Sequence, residues 1–338
     1  MKPVRIGIVG FGKMGILHAG ILNALPDCTV GAICEKEPLI RRLASKVMPG
    51  IRFFESPFDM VSKEELDAVF VTSPIASHAP VVSELACASK RLGLFIEKPL
   101  AGKTEEAQSI IEAASEFATT TMIGFQKRFL SQFVRTKELI ASGALGDVVS
   151  FDGYSYLASV FSRGSGWRFK RGEGGALLDL GSHLVDLVIW YFGTPSSVHA
   201  TESAPYSDLV EDYAEVEFGF PSGLSGKIEV SWSKEGYRLP EAGMKITGTN
   251  GSIRVTDDTL ELDILREIPA LVKAGKTVFS RPELTEGVRF LLGDPEYCVE
   301  DEYFVTSLIS GNGATPNLMD GLVVNKLIDQ GRSNARRL

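Results

Sequence analysis

Gly10, Gly12 and Gly15 constrain the fold of this chain more than any other feature, because of what flanks them. Val4 to Val9 is a short apolar run suited to a buried parallel strand, and Lys13 to Leu22 carries Met14, Leu17, Ile21 and Leu22 at helical spacing. The glycines therefore stand on a strand-to-helix turn. In such a turn Gly10 permits the tight reversal, Gly12 lets backbone approach a pyrophosphate, and Gly15 lets helix and strand pack closely. The helix start adds free N–H groups and a positive dipole, which suit phosphates. Gly10, Phe11, Gly12, Lys13, Met14 and Gly15 are accordingly expected to hold a dinucleotide.

The next apolar run, Thr29 to Cys34, ends in Glu35, about 20 residues beyond the third glycine. A carboxylate there accepts hydrogen bonds from both adenosine ribose hydroxyls and repels a 2′-phosphate, so NAD is expected ahead of NADP. Lys36, Arg41 and Arg42 keep NADP open, since their positive charge offsets that of a phosphate; they equally suit a solvated helix start.

Composition narrows the partners. The chain has 338 residues, 44% of them hydrophobic, enough for roughly two packed domains. Its 35 basic and 43 acidic residues give a formal charge of -8 with no basic block, which argues against nucleic acid or an anionic membrane as partner and for small molecules. Cys28, Cys34, Cys87 and Cys298 form neither a CxxC pair nor a metal-ligand cluster, so reduced, buried thiols, a cytoplasmic setting and no metal are expected. No signal-peptide core or long apolar span is present.

Strand-like runs at Asp67 to Thr72, Leu92 to Ile96 and Thr120 to Gly124 alternate with helical patterns at Pro38 to Ser45, Ala76 to Ala88 and Thr104 to Phe117, with Thr104 as N-cap. That alternation builds a doubly wound parallel sheet over residues 1–124. From residue 125 to 338 the texture changes. A helix at Phe129 to Ser142, a strand at Val148 to Leu157 and a long apolar helix at Gly175 to Tyr191 precede short strands at Ala214 to Phe220, Gly226 to Trp232, Met244 to Thr247, Ser252 to Val255 and Leu260 to Ile264. The turn signals between them predict an antiparallel sheet in an α+β domain, closed by helices at Glu296 to Ser310 and Leu318 to Asp329.

Two further clusters carry chemistry. Glu97, Lys98 and Pro99 follow a buried strand at its carboxyl end, which in a doubly wound sheet borders the ligand crevice; solvated charges are the plain alternative, and the proline restricts the local backbone. Asp179, His183 and Asp186 fall at i, i+4 and i+7, one stripe of an otherwise apolar helix. An imidazole beside a carboxylate suits proton transfer near neutral pH, as alcohol oxidation requires; a satisfied core histidine is the competing reading.

Together these motifs resemble the glucose-fructose oxidoreductase, inositol dehydrogenase and rhizopine-catabolism family, Gfo/Idh/MocA, along nearly the whole chain. Thr72-Ser73-Pro74 with His78 resembles its fourth-strand segment and Gly124-Phe-Gln-Lys-Arg-Phe129 its domain crossover. Trp167-Arg168, the glycines at 174, 175 and 181, and Pro316 with Asp320-Gly321 match further motifs. The resemblance implies an N-terminal Rossmann domain, a C-terminal domain with a large, mostly antiparallel open sheet, and NAD(P)-dependent hydride transfer to or from a sugar or polyol. It places the catalytic lysine, aspartate and histidine on Lys98, Asp179 and His183, and cofactor contacts on Thr72, Ser73, Pro74, His78, Glu97, Lys98 and Gln126 as well as the glycine turn, Glu35 and Lys36. Gln126 stands where asparagine is common in the family, and Glu35 where aspartate is common.

Trp167, Arg168 and Tyr154 join Lys98, Asp179 and His183 as substrate contacts, since a tryptophan face suits a sugar ring and an arginine an anionic group. Tyr154 equally suits a subunit contact, because the family often assembles as homodimers or homotetramers through the open sheet. Reduction of a non-sugar carbonyl or imine, or a sensor that binds nucleotide without turnover, are the alternative functions; retention of Lys98, Asp179 and His183 together argues against the sensor.

Overall fold

The computed structural model describes residues 2–164, 166–269, 271–285 and 295–337. The chain forms two compact units, Met1–Phe125 with Tyr297–Asn325 and Gln126–Glu296 with Lys326–Leu338. Among the described residues no helix is long and apolar enough to cross a membrane.

In the first unit, β1 (Val4–Val9), α1 (Lys13–Ala24), β2 (Cys28–Cys34), α2 (Pro38–Val47), β3 (Arg52–Phe54), α3 (Pro57–Lys63), β4 (Ala68–Val71), α4 (His78–Cys87), β5 (Leu92–Glu97), α5 (Thr104–Ser115) and β6 (Ala118–Gly124) alternate along the chain. The six strands are all parallel, in the order β3-β2-β1-β4-β5-β6. The order reverses between β1 and β4, and ligands of such sheets bind at the carboxyl ends beside that reversal. Helices cover parallel sheets on both faces, which is why β4 and β5 are buried at every residue and lack alternation. β3 and α3 carry too few residues for a periodicity and went unpredicted. The cap of α5 is Lys103, with Thr104 inside the helix rather than before it.

The second unit begins with α6 (Ser131–Ala141), β7 (Val148–Tyr156) and α7 (Ser182–Phe192). There follow β8 (Ser197–Ser203), β9 (Tyr213–Gly219), β10 (Ser225–Ser231), β11 (Glu241–Gly248), β12 (Gly251–Thr256), β13 (Thr259–Ile264), β14 (Gly275–Ser280) and α8 (Arg281–Leu284). Beyond α9 (Glu296–Ser310) and α10 (Leu318–Ser333), the short β15 (Arg336–Arg337) completes a nine-stranded sheet ordered β14-β13-β12-β11-β7-β10-β9-β8-β15. Only β7 with β10 and β8 with β15 pair parallel. Along β7 and β10, residues alternate between a buried face, with Phe151, Ile228 and Val230, and an open face bearing Asp152, Lys227 and Glu229.

Most of α9 and the first half of α10 pack with the parallel sheet, so a single cut after residue 124 does not describe the units. Burial explains it. Phe70 and Phe95 stack with centroids 4.4 Å apart, and Phe304 of α9 meets them edge-on at 5.4 and 5.8 Å. The Asn325 side chain donates to the Ala101 carbonyl at 2.8 Å, and Ile123 N–H donates to Pro316 O at 2.9 Å. Helical periodicity finds these helices but says nothing about which sheet their apolar faces meet.

Candidate active site

At the switch point of the first unit, the three glycines separate by task. Gly10 has φ +92, and a Cβ there would lie 2.6 Å from the Ser73 backbone. A Cβ on Gly15 would lie 2.1 Å from the Gly10 carbonyl oxygen, whereas one on Gly12 would meet nothing within 4 Å. Gly10 and Gly15 are thus demanded by the protein's own packing, and Gly12 keeps open the space a phosphate would approach. The turn is tied on both sides: Gly10 N–H donates to Cys34 O at 2.8 Å, and Thr72 Oγ1 donates to Gly10 O at 2.7 Å. No side chain caps α1, which suits a helix start meant for a ligand's phosphates.

Glu35 directly follows β2. Its Oε2 accepts the Phe11 N–H at 2.7 Å and its Oε1 the Glu37 N–H at 2.9 Å, so the carboxylate is aimed by the backbone around it. Arg41, one of the cations that kept NADP open, donates to the carbonyls of Glu35 and Lys36 at 2.6 and 2.7 Å and pairs with Glu55. Its charge is spent locally; Lys13 and Lys36 are exposed, Met14 is half-buried, and Phe11 is buried edge-on to Phe53. The Glu35 carboxylate, the bare helix start and the open space at Gly12 fit a dinucleotide with an unphosphorylated adenosine ribose.

Ser73 and Pro74 follow β4 beside the turn, and His78 proves to be a brace. It is buried, with Nε2 2.9 Å from Ser73 O and Nδ1 3.0 Å from Leu100 O, and burial pushes its pKa below the usual histidine value. Glu97 ends β5 with Oε2 accepting the Lys98 N–H at 3.0 Å, and Lys98, half-buried, precedes a cis bond to Pro99. The partner of Glu97 on its other oxygen, His18 of α1 at 2.9 Å, was not among the expected residues. A lone polar residue in the buried stripe of Gly15, Ala19, Ile21 and Leu22 was the available signal.

In the second unit, Gly175 takes φ +106 where a Cβ would lie 2.3 Å from Glu211 Oε1. That carboxylate oxygen accepts the Leu177 N–H at 2.9 Å and Arg332 Nη2 at 2.8 Å, anchoring the helix start. Leu177–Gly181 is a π turn, wider than the α-helix expected there, and α7 begins only at Ser182. Asp179 and His183 therefore do not lie on one continuous α-helix. Asp179 lies on the π turn, 8% exposed, and His183 on α7, 7% exposed.

Asp179 accepts a hydrogen bond from the buried Trp232 indole at 3.2 Å, and Arg168 Nε stands 3.4 Å from the same oxygen. Arg168 also lies over the Trp232 ring at 5.9 Å. Asp186 has a structural partner: Arg128 grips it with two hydrogen bonds at 2.8 and 2.6 Å. Trp232, Glu211 and Arg128 were missed because their partners lie tens of residues away. Gln126 is buried at the head of the 3-10 turn Gln126–Phe129, and Trp167 begins another at Trp167–Phe169, its side chain outside what is described.

Tyr154 requires a correction. In the β7–β10 register it faces Glu229, while Asp179 meets Trp232, which follows the buried alternation of Ile228 and Val230. Tyr154 therefore points to the open face, away from Asp179, and its hydroxyl donates to Glu241 at 2.5 Å. It stacks there on Tyr156, with centroids 4.9 Å apart.

Comparison with known proteins accords with this geometry. Residues 4–125 match the oxidoreductase family with NAD-binding Rossmann fold, and residues 133–254 match the GFO/IDH/MocA C-terminal domain. The chain belongs to the Gfo/Idh/MocA family. This Gfo/Idh/MocA chain is 29% identical to inositol 2-dehydrogenase of Rubrobacter xylanophilus, over 95% of this chain and 87% of that protein. It is 26% identical to scyllo-inositol 2-dehydrogenase (NAD(+)) of Bacillus subtilis, over 94% and 89%. Its fold matches levoglucosan dehydrogenase, solved with NADH and L-sorbose, with a TM-score of 0.87 at 22% identity, covering 99% of this chain and 97% of the other. Like other Gfo/Idh/MocA members it is an oxidoreductase that binds NAD through its Rossmann sheet.

Proposed function

We propose that this protein is an NAD-dependent dehydrogenase that oxidises a ring hydroxyl of a neutral sugar or polyol, with inositol-like rings the favoured class. The observation that carries this reading is Asp179, set on a π turn beside His183's helix and held by both Trp232 and Arg168. Its pairing with Arg168 offsets that arginine's charge, which favours a neutral ring over an acidic or nucleotide-linked sugar. The inositol dehydrogenases that the chain resembles along nearly its whole length support the same class.

When bound, nicotinamide supplies the hydride acceptor. The protein's own groups handle the proton and the charge. His183 takes the hydroxyl proton, Asp179 orients the hydroxyl and polarises it, and Lys98 stabilises the negative charge that develops on the oxygen while contacting the nicotinamide ribose. Glu35 selects NAD through the ribose hydroxyls, and Trp167 and Arg168 line the ring.

A panel of myo-inositol, scyllo-inositol, levoglucosan, glucose, an acidic UDP-sugar and small keto or imino acids, followed by NADH absorbance, tests this. The highest kcat/KM is expected with a neutral cyclic polyol or sugar. Preference for the acidic UDP-sugar overturns the role given to Arg168, and turnover confined to non-sugar carbonyls or imines overturns the substrate class.

We also propose assembly as a homodimer or homotetramer through the open face of the large sheet, where Tyr154 and Tyr156 sit beside Tyr237, and residence in the cytoplasm, which suits the buried thiols of Cys28 and Cys34. Sedimentation should give a dimer or tetramer; a fully active monomer at low concentration overturns the assembly.

A further inference from the structure

We infer that His18 is a positioning residue, held as an imidazolium between Glu97 and Asp301, that locks the strand end bearing Lys98 to the helix behind the glycine turn. Its Nδ1 lies 2.8 and 3.0 Å from the two oxygens of Asp301, and its Nε2 lies 2.9 Å from Glu97 Oε1. His18 and Asp301 are 0% exposed and Glu97 is 7% exposed. With Glu97 and Asp301 ionised, each only accepts hydrogen bonds, so the ring between them donates from both nitrogens and carries the charge; burial raises the Asp301 carboxyl, so this pairing holds where that carboxyl is deprotonated. Phe70, Phe95 and Tyr297 surround the ring at 5.4, 5.3 and 6.0 Å, which keeps water from substituting for either carboxylate.

Buried ion clusters contribute little net stability compared with apolar side chains of the same volume, because desolvation offsets the attraction. What this one provides is geometry. Glu97 is held at both oxygens, by His18 on one and by the Lys98 N–H at 3.0 Å on the other. Asp301, on α9, fixes the far side of the same ring. The ion chain thus joins α1, β5 and α9, whose residues lie 79 and 283 positions from His18. The inference rests on the role proposed above for Lys98.

The titratable groups around the ring are Glu97 from β5, Asp301 and Tyr297 from α9, and Cys28 from β2, whose thiol feels the Asp301 charge. Burial alone depresses the histidine, but Asp301 and Glu97 together hold it well above its ordinary value. With a folded pKa above the unfolded one, the histidine's contribution is complete below about pH 6.5 and is lost as pH rises through the elevated value; on the acid side the clamp is lost as the Asp301 carboxyl, itself raised by burial, takes a proton.

The test uses the whole protein with its histidine nitrogens labelled. In the wild type the His18 ring should keep the nitrogen shifts of a doubly protonated imidazole at about pH 8, and Asp301→Asn should bring its deprotonation into the neutral range. His18→Gln should lower kcat by about tenfold or more, on the panel substrate with the highest kcat/KM, while KM for NAD moves by less than about threefold. A merely structural residue would move thermal stability and leave kcat below the transition unchanged. If His18→Gln fails to fold, Asp301→Asn, which keeps the imidazole, carries the same kinetic criterion. A neutral His18 ring in the wild type overturns the clamp. So does a kcat within about twofold of the parent in the folded variant while Lys98→Ala is inactive. Parental turnover in Lys98→Ala overturns instead the Lys98 role on which the inference rests.

Discussion

The glycine turn of the first unit and the Asp179 helix start of the second are built around the same device and were legible to very different degrees. Each places a positive-φ glycine against atoms that leave no room for a Cβ: Gly10 against the Ser73 backbone, Gly175 against the Glu211 carboxylate. At Gly10 the neighbour is the backbone just beyond the adjacent parallel strand. At Gly175 it is one acidic side chain from a distant loop, itself held by Arg332. A motif whose partners are backbone can be read from spacing; one whose partners are particular side chains needs the folded protein.

Breaking the first region should have the largest effect. A Cβ on Gly15 would sit 2.1 Å from the Gly10 oxygen, so Gly15→Val is expected to lose about 3 kcal/mol or more of stability and all measurable NADH binding, read by thermal unfolding and NADH fluorescence. Next comes the proposed proton-transfer group: His183→Ala should retain NADH binding and lower kcat by about 10²- to 10⁴-fold, and a loss of less than about tenfold would remove His183 from the chemistry. Gly175→Ala then tests whether the second region is as rigid as the first. Strain at φ +106 and the crowded Glu211 carboxylate should cost about 2 kcal/mol, measured by denaturant unfolding.

Gly12→Ala sharpens the contrast from the other side, since nothing stands within 4 Å of its Cβ. Stability should hold while NADH affinity drops by about tenfold; a drop in stability with affinity intact would mean the space serves packing and not a ligand. The smallest change is expected from Tyr154→Phe, which faces away from Asp179: kcat/KM should stay within about threefold of the parent, and a larger loss would return Tyr154 to the substrate site.

Much of the fold was legible for a physical reason. Strands buried on both faces leave continuous apolar runs, as at Leu92 to Ile96, and strands with one open face leave alternation, as at Ala214 to Phe220. What escaped was short or long-range. β3 has three residues, too few for a pattern. A continuous α-helix was expected through Asp179, His183 and Asp186, where Leu177–Gly181 forms a π turn that meets Glu211 and Trp232 from distant segments. Asp186, read as a possible aid to proton transfer, belongs to Arg128. His18 was passed over because its carboxylates, Glu97 and Asp301, come from elements far along the chain.

By itself the sequence determined a doubly wound dinucleotide fold, its glycine turn and the place of Glu35 at the end of the second strand, because these depend on backbone conformation and on residues a fixed distance apart. Only the tertiary structure decided that α9 returns to the first unit, that Tyr154 lies on the open face, and that Asp179 rather than Asp186 meets Trp232 and Arg168. Those outcomes depend on which apolar faces and which charges find each other across the fold, and burial and hydrogen-bond satisfaction act between residues that no local spacing connects.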